Sequence, residues 1–504
     1  MLPFVRLGRF GARSFCRFAC LTLLLGLSLA AAPTAGGAED LTSAAADLWA
    51  RYDGQLAELA AWCDANGLAA EAAETRAWRA PRDPGKLYIA VLGDEVGSLK
   101  PPPDGPEPVL EWHGRFARLR QEQAEAMFEL ARRAVRAGRG SLALDLVLAA
   151  VREDPDHEAV RQILGFQEYQ GRWCTLYEVQ NLRSGKVWHE KFGWLPAAHV
   201  PRYEQGERYY RGRWISAEED ARLHQDIRRG WDVETEHYAI RTNHGIEAAV
   251  RLGAKLEQLY RVWKQLFFRY FAGEAQLAEL FDDRARSRVA SLPRHEVVYF
   301  RNRDEYDRAL AEVIPNIGVS VGVYISATRR AYFFAGQDSD ERTLLHEATH
   351  QLFHESRRVA AGVGRQNNFW IIEGIAMYME SLRREDGYHV LGGFDDVRVH
   401  AARYRLLKDG FYVPLAEFAS YGADQIQKDH RIATLYSQAA GLTNFLIHCD
   451  GGRYRDQLVA YLVAVYSGQA SPSTLSKLTG TPYSELDAQY RRFMELGPSQ
   501  PTAE

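Results

Sequence analysis

The chain has 504 residues, 46% of them hydrophobic and 12% aromatic, with 62 basic and 66 acidic side chains and a formal charge of −4. That length suits two to four domains with real cores, and the composition excludes a disordered chain. The weakly acidic balance argues against a nucleic-acid partner, and five cysteines without a CxxC pair exclude a zinc knuckle or a disulfide framework.

Residues 1–38 read as an export signal. Arg6, Arg9, Arg13 and Arg17 precede the apolar run "LTLLLGLSLAAA", and small residues follow, with Ala38 the expected cleavage position. The run is shorter than the roughly 20 residues a membrane span needs. The expected protein is therefore periplasmic or extracellular, with no stable span after cleavage. Its mature chain carries 58 basic and 66 acidic residues, a formal charge of −8, and keeps Cys63, Cys174 and Cys449.

Residues 39–165 read as a helical region. A hairpin is expected over 41–80, a Pro-rich linker at "KPPPDGPEP" (100–108), and more helix over 115–165. Within the last stretch, Leu130, Ala143, Ala150 and Pro155 fall at the spacing of one tetratricopeptide-like (TPR-like) unit. This region is a candidate docking surface for a protein partner. Residues 166–230 are rich in Trp, Tyr and Gly. "YQGRWCTLYE" and "YRGRWISAEE" form an internal repeat, which predicts two small β units joined by "FGWLPAAHVPRY".

From 231 to 495 the pattern changes. Strands are expected at 236–243 and 295–300, a long helix after Gly245, a helix at 303–313, and a strand or hairpin over 321–335; mostly helix follows, and 496–504 form a disordered tail. This order predicts an α+β fold, with a small sheet first and a helical half second.

The chemistry concentrates in "ERTLLHEATHQLFHESRR" (341–358). On a helix, His346 and His350 share one face and reach one ion, while Glu347 flanks it as a base. "DSDE" (338–341) supplies the helix start. His354 lies about 12 Å along the axis from His346 and does not converge with the pair. The third ligand is expected at Glu373 in "FWIIEGIAMYMES", on a second helix after a Gly-bearing loop, with Gly374 and Ala376 small enough for close approach to the first helix. An acid directly after "FWII" is unlike a solvated surface acid.

HExxH followed by W-x-x-E-G-x-A-x-Y resembles the gluzincin zinc metallopeptidases, the peptidase MA-like group, over roughly 231–495. The resemblance implies a zincin-like domain with one Zn2+ per chain on His346, His350 and Glu373, Glu347 as general base, and peptide or protein substrates. It also implies a downstream oxyanion donor, for which Tyr436 stands at about the right spacing, with His430 and His448 as weaker substitutes. Two departures stand out. The GxMEN motif for a free amine is missing, and Met377 replaces an acid that supports a ligand in some relatives, leaving Glu380 or Asn367 and Asn368 to orient the histidines. "GVYIS" (322–326) is a candidate edge strand for a peptide. The expected function is a zinc peptidase; the alternative is an exported scaffold or protein-binding protein with a structural or vestigial zinc site.

Overall fold

The computed structural model describes residues 41–78, 83–90, 105–281, 293–315, 317–336, 340–385 and 387–497. The segment expected to be an export signal and the last seven residues lie outside them. The fold class is α+β, as the element order implied.

Helices Leu41–Ala65 and Ala69–Trp78 form the first hairpin, and Glu107–Arg136 and Gly140–Glu153 the second. Helix begins at Glu107, inside the expected linker, because Pro106 takes the N-cap and Pro108 the first turn, where its missing N–H costs nothing. Residues 86–90 add a strand that pairs antiparallel with Tyr388–Gly392, some 300 residues later. Arg455 pairs with Asp145 at 2.5 Å, a second tie between the early helices and the C-terminal half.

The Trp-rich region holds three hairpins rather than two: 166–175, 186–196 and 207–216. Each is followed by a helical turn or short helix. The outer two turn at Gln170–Gly171 and Arg211–Gly212, both at positive φ, the geometry of a two-residue hairpin loop. The middle copy uses a longer link and lacks the Gly-Arg-Trp spelling, so the expected joining segment contributes a strand, Gly193–Pro196, to this hairpin.

The main sheet has five strands in the order Val323–Ile325, Arg330–Phe334, His295–Phe300, Tyr238–Thr242, Trp231–Glu234. The central strand pairs parallel with both neighbours, and the two edge strands pair antiparallel. Val323–Ile325 is thus an edge. Side chains alternate as a half-buried sheet requires: Tyr238, Ile240 and Thr242 are buried while Arg241 points outward. Helix Ile246–Leu266 covers this face and inserts Leu256, Leu259 and Trp263 into the largest core cluster.

The motif helix, Glu341–Glu355, lies between that helix and the C-terminal bundle. The Asp340 carboxylate accepts from the Arg342 N–H at 3.1 Å and starts it. Its other end is bolted to the central strand by two buried contacts. Gln351 Nε2 donates to the Glu296 carbonyl at 3.0 Å, and His295 Nδ1 meets Glu355 Oε2 at 2.7 Å. Leu345, Leu352 and Phe353 bury the opposite stripe.

Candidate metal centre

The acid helix, Phe369–Met379, carries Glu373. It starts at Asn368, which is fully buried at φ 56. The Asn368 side chain accepts from the Tyr461 hydroxyl at 2.6 Å and donates to the Ser471 carbonyl at 3.2 Å. Those bonds fix where the helix begins, and so where Glu373 points. They also engage Asn368 away from the histidines, so it is not the group that orients them; Asn367 Oδ1 accepts from the Asn368 side-chain amide at 2.7 Å, its one side-chain bond among the described residues. Gly374 is small for a reason different from the expected one. A Cβ there would come within 2.8 Å of the Ala439 carbonyl, and closer still to the Thr443 hydroxyl, both on helix Ile432–His448 rather than on the motif helix.

The two helices bring three ligand-type side chains together. His346 Nε2 and His350 Nε2 are 3.1 Å apart, and the Glu373 carboxylate oxygens lie 3.5 Å and 3.7 Å from them. One atom from each forms a group within 4.8 Å, the one such His/Cys/Asp/Glu group among the described residues. Tetrahedral bonds of about 2.0–2.1 Å separate ligands by roughly 3.4 Å, so the spacing fits a single cation. His354 stays out of the group, as the helix rise requires: its ring meets Tyr324 at a tilt and Tyr466 edge-on, with centroids 5.6 and 5.5 Å away.

The support around the ligands is charged. His346 Nδ1 meets Glu380 Oε1 at 2.8 Å, which turns Nε2 toward the centre. Arg398 holds both oxygens of Glu380, at 2.9 and 3.0 Å, and Arg342 adds a bond at 3.2 Å. Arg342 is anchored in turn to Asp396 at 3.2 Å. Of these, Arg342 had a local signal, standing one helical turn before His346. Arg398 had none, because it arrives from a helix beginning more than twenty residues after Glu373.

Burial would lower the His346 pKa, but the bonds from Glu373 and Glu380 outweigh it and push the imidazole up to about 10. His350, without such a partner, is driven down to about 4 by burial. Glu373 and Glu380 are each held below the ordinary carboxylate value: burial opposes this, and the histidine bonds prevail. Two carboxylates thus face the two imidazoles; Arg398 and Arg342 already balance Glu380, which leaves Glu373 as the carboxylate available to a cation.

Glu347 behaves differently. Burial raises it to about 7, against the nearby His346 charge and a bond from the Tyr324 N–H to Oε2 at 2.8 Å. That bond fixes one oxygen and leaves Oε1 for proton transfer. The donor belongs to the edge strand, so base and strand are held in register. Tyr436 lines the same cleft of about 290 Å3 as His346, Glu347 and Met377. Its hydroxyl is directed at Glu373; burial and that carboxylate raise its pKa, so it stays a donor. The two histidine substitutes lie elsewhere. His430 is exposed beside Asp429, and buried His448 faces the Tyr378 hydroxyl through Nε2 at 3.0 Å.

Neither the family models nor the curated proteins searched gave a match to this sequence, so the centre is read from its own geometry.

Proposed function

We propose that the chain is a zinc-dependent peptidase, with residues 231–495 as a zincin-like catalytic half. The observation that carries this reading is the conjunction of two imidazoles and a carboxylate at single-ion spacing with a buried, otherwise uncommitted glutamate oxygen beside them. A structural site has no use for that base, and two histidines with one glutamate form a catalytic zinc set.

Zinc held by His346, His350 and Glu373 would make a water acidic and polarise a carbonyl oxygen. Glu347 Oε1 takes the proton of the attacking water and returns it to the leaving amine. The Tyr436 hydroxyl donates to the oxyanion as it forms. The edge strand Val323–Ile325 receives the peptide backbone along the cleft. Glu380, locked by Arg398 and Arg342, keeps the His346 ring from rotating. On this reading the protein is exported, as its arginine-rich and apolar opening implies.

The test is Glu347→Gln. The variant should retain zinc at the wild-type stoichiometry and lose hydrolysis of a peptide pool by at least about a hundredfold, the scale of a general base. Undiminished hydrolysis would remove Glu347 from the mechanism.

A further inference from the structure

The metal cleft is small, and it opens to one side only. Its volume of about 290 Å3 stands at the foot of the roughly 300–1,000 Å3 range of small-molecule sites. From the motif helix its lining takes Arg342, Thr343, His346 and Glu347; His350 and His354, one and two turns beyond His346, are not part of it. The open space therefore runs from the metal ligands toward the start of that helix.

A row of three rings closes the other side. Tyr324 on the edge strand meets His354 with centroids 5.6 Å apart, and His354 meets Tyr466, the last residue of helix Arg455–Tyr466, at 5.5 Å. The row thus crosses from the sheet edge to the C-terminal bundle. Both of its ends are anchored. The Tyr324 hydroxyl bonds Glu355, which His295 holds at 2.7 Å, and Tyr466 is fully buried.

The sheet edge offers little to an extended chain. Residues of an antiparallel strand turn their N–H and C=O groups alternately toward and away from the partner strand. The Tyr324 N–H reaches Glu347, so Tyr324 faces away from Arg330–Phe334, and by alternation so does Gly322. These are the two residues with which an added strand would pair. Glu347 Oε2 already occupies the Tyr324 N–H. At Gly322 the Ser320 hydroxyl engages both groups, donating to the carbonyl at 2.6 Å and accepting from the N–H at 3.3 Å. The Tyr306 hydroxyl, 2.8 Å from Ser320 Oγ, and Arg303, which donates to the Ser320 carbonyl at 3.1 Å, hold Ser320 in that position. Past Ile325 the chain leaves the strand for a turn, with Arg329 at φ 54. The Tyr324 carbonyl is left to accept from a substrate N–H, whereas binding by strand addition draws its affinity from a ladder of such bonds.

We infer that the substrates are short peptides, di- to tetrapeptides, cut beside the end that abuts the rings of Tyr324, His354 and Tyr466, and that Ser320 and His354 set this limit. The inference rests on the peptidase reading and narrows it. Longer chains find neither room past the metal ligands nor an edge to pair with.

The test is hydrolysis, by the full chain with zinc, of two size fractions of one casein digest: di- to tetrapeptides, and peptides of ten residues or more. Turnover per mole of peptide at least tenfold faster in the short fraction supports the inference. Ser320→Ala frees the Gly322 groups and His354→Ala opens the ring row; each should raise the long-to-short ratio at least fivefold with zinc content unchanged. Capture from the same digest on immobilised Glu347→Gln chain, read by mass spectrometry, should enrich the short peptides. Equal or faster turnover of the long fraction overturns the inference and leaves the peptidase reading standing. So do ratios unaltered in both variants, or capture indifferent to length. Hydrolysis of neither fraction removes the peptidase reading, and the inference with it.

Discussion

Glu380→Gln separates the charge of the support from its shape. The amide keeps the length of the side chain and an oxygen to accept from His346 Nδ1, now at 2.8 Å. It loses the negative charge that Arg398 grips at 2.9 and 3.0 Å and Arg342 at 3.2 Å. Two guanidinium groups then remain near a 4%-exposed neutral amide, and the His346 ring loses both its anchor's rigidity and the basicity an anionic partner confers. Replacing such a partner typically costs 10–100-fold in metal affinity, about 1.4–2.7 kcal/mol. The assay is competition for zinc against a chromophoric chelator, run on wild type, Glu380→Gln and Arg398→Gln. Arg398→Gln should fall between the other two, because Glu380 keeps its charge and its Arg342 bond. Wild-type zinc affinity in Glu380→Gln would refute the reasoning, since His346 would then be held by something other than this carboxylate.

Three further outcomes follow from the same geometry. Tyr436→Phe should bind zinc normally and lose about 10²–10³ in kcat, the scale of one oxyanion donor, with little change in KM; an equal loss in zinc content would make it a packing residue. Gly374→Ala should destabilise by about 1–3 kcal/mol in urea unfolding, because its Cβ meets the Ala439 carbonyl at 2.8 Å and that helix must give way; an unchanged midpoint would show that the helices are not this close. His448 is held down to about 3 by burial and then by Arg455. Its folded pKa lies below the unfolded value of about 6.5, so the stability it contributes is complete above pH 6.5 and is lost as pH falls toward 3. With chelator present to remove metal effects, His448→Gln should show a shallower fall in urea midpoint between pH 6.5 and 4 than wild type; parallel curves would contradict the assignment.

What was legible in the sequence was what is local. The two histidines and Glu347 need only a helix and a period, and Glu373 needs only an acid that an apolar run carries inside. The strands at 238–242, 295–300 and 323–334 announced themselves by composition and turn residues. Long-range pairing was not legible. Residues 86–90 find their partner some 300 positions away, and no local pattern reports that register. The middle hairpin was hidden because its turn chemistry differs from its neighbours, although Trp194 sits where they have Trp173 and Trp214. Arg398 was equally silent: an exposed-looking arginine after "DD" becomes the clamp on Glu380 only once its helix folds back. Gly374 was read correctly as a close-approach residue but assigned to the wrong neighbour, since spacing states that a helix packs tightly and not against what.

The most direct measurement is the metal content of the purified full chain, by inductively coupled plasma mass spectrometry, beside that of Glu373→Ala. The account predicts one zinc per wild-type chain and a severe loss in the variant, whose two histidines alone leave the ion under-coordinated. Wild-type protein that stays metal-free after incubation with zinc and gel filtration would contradict it.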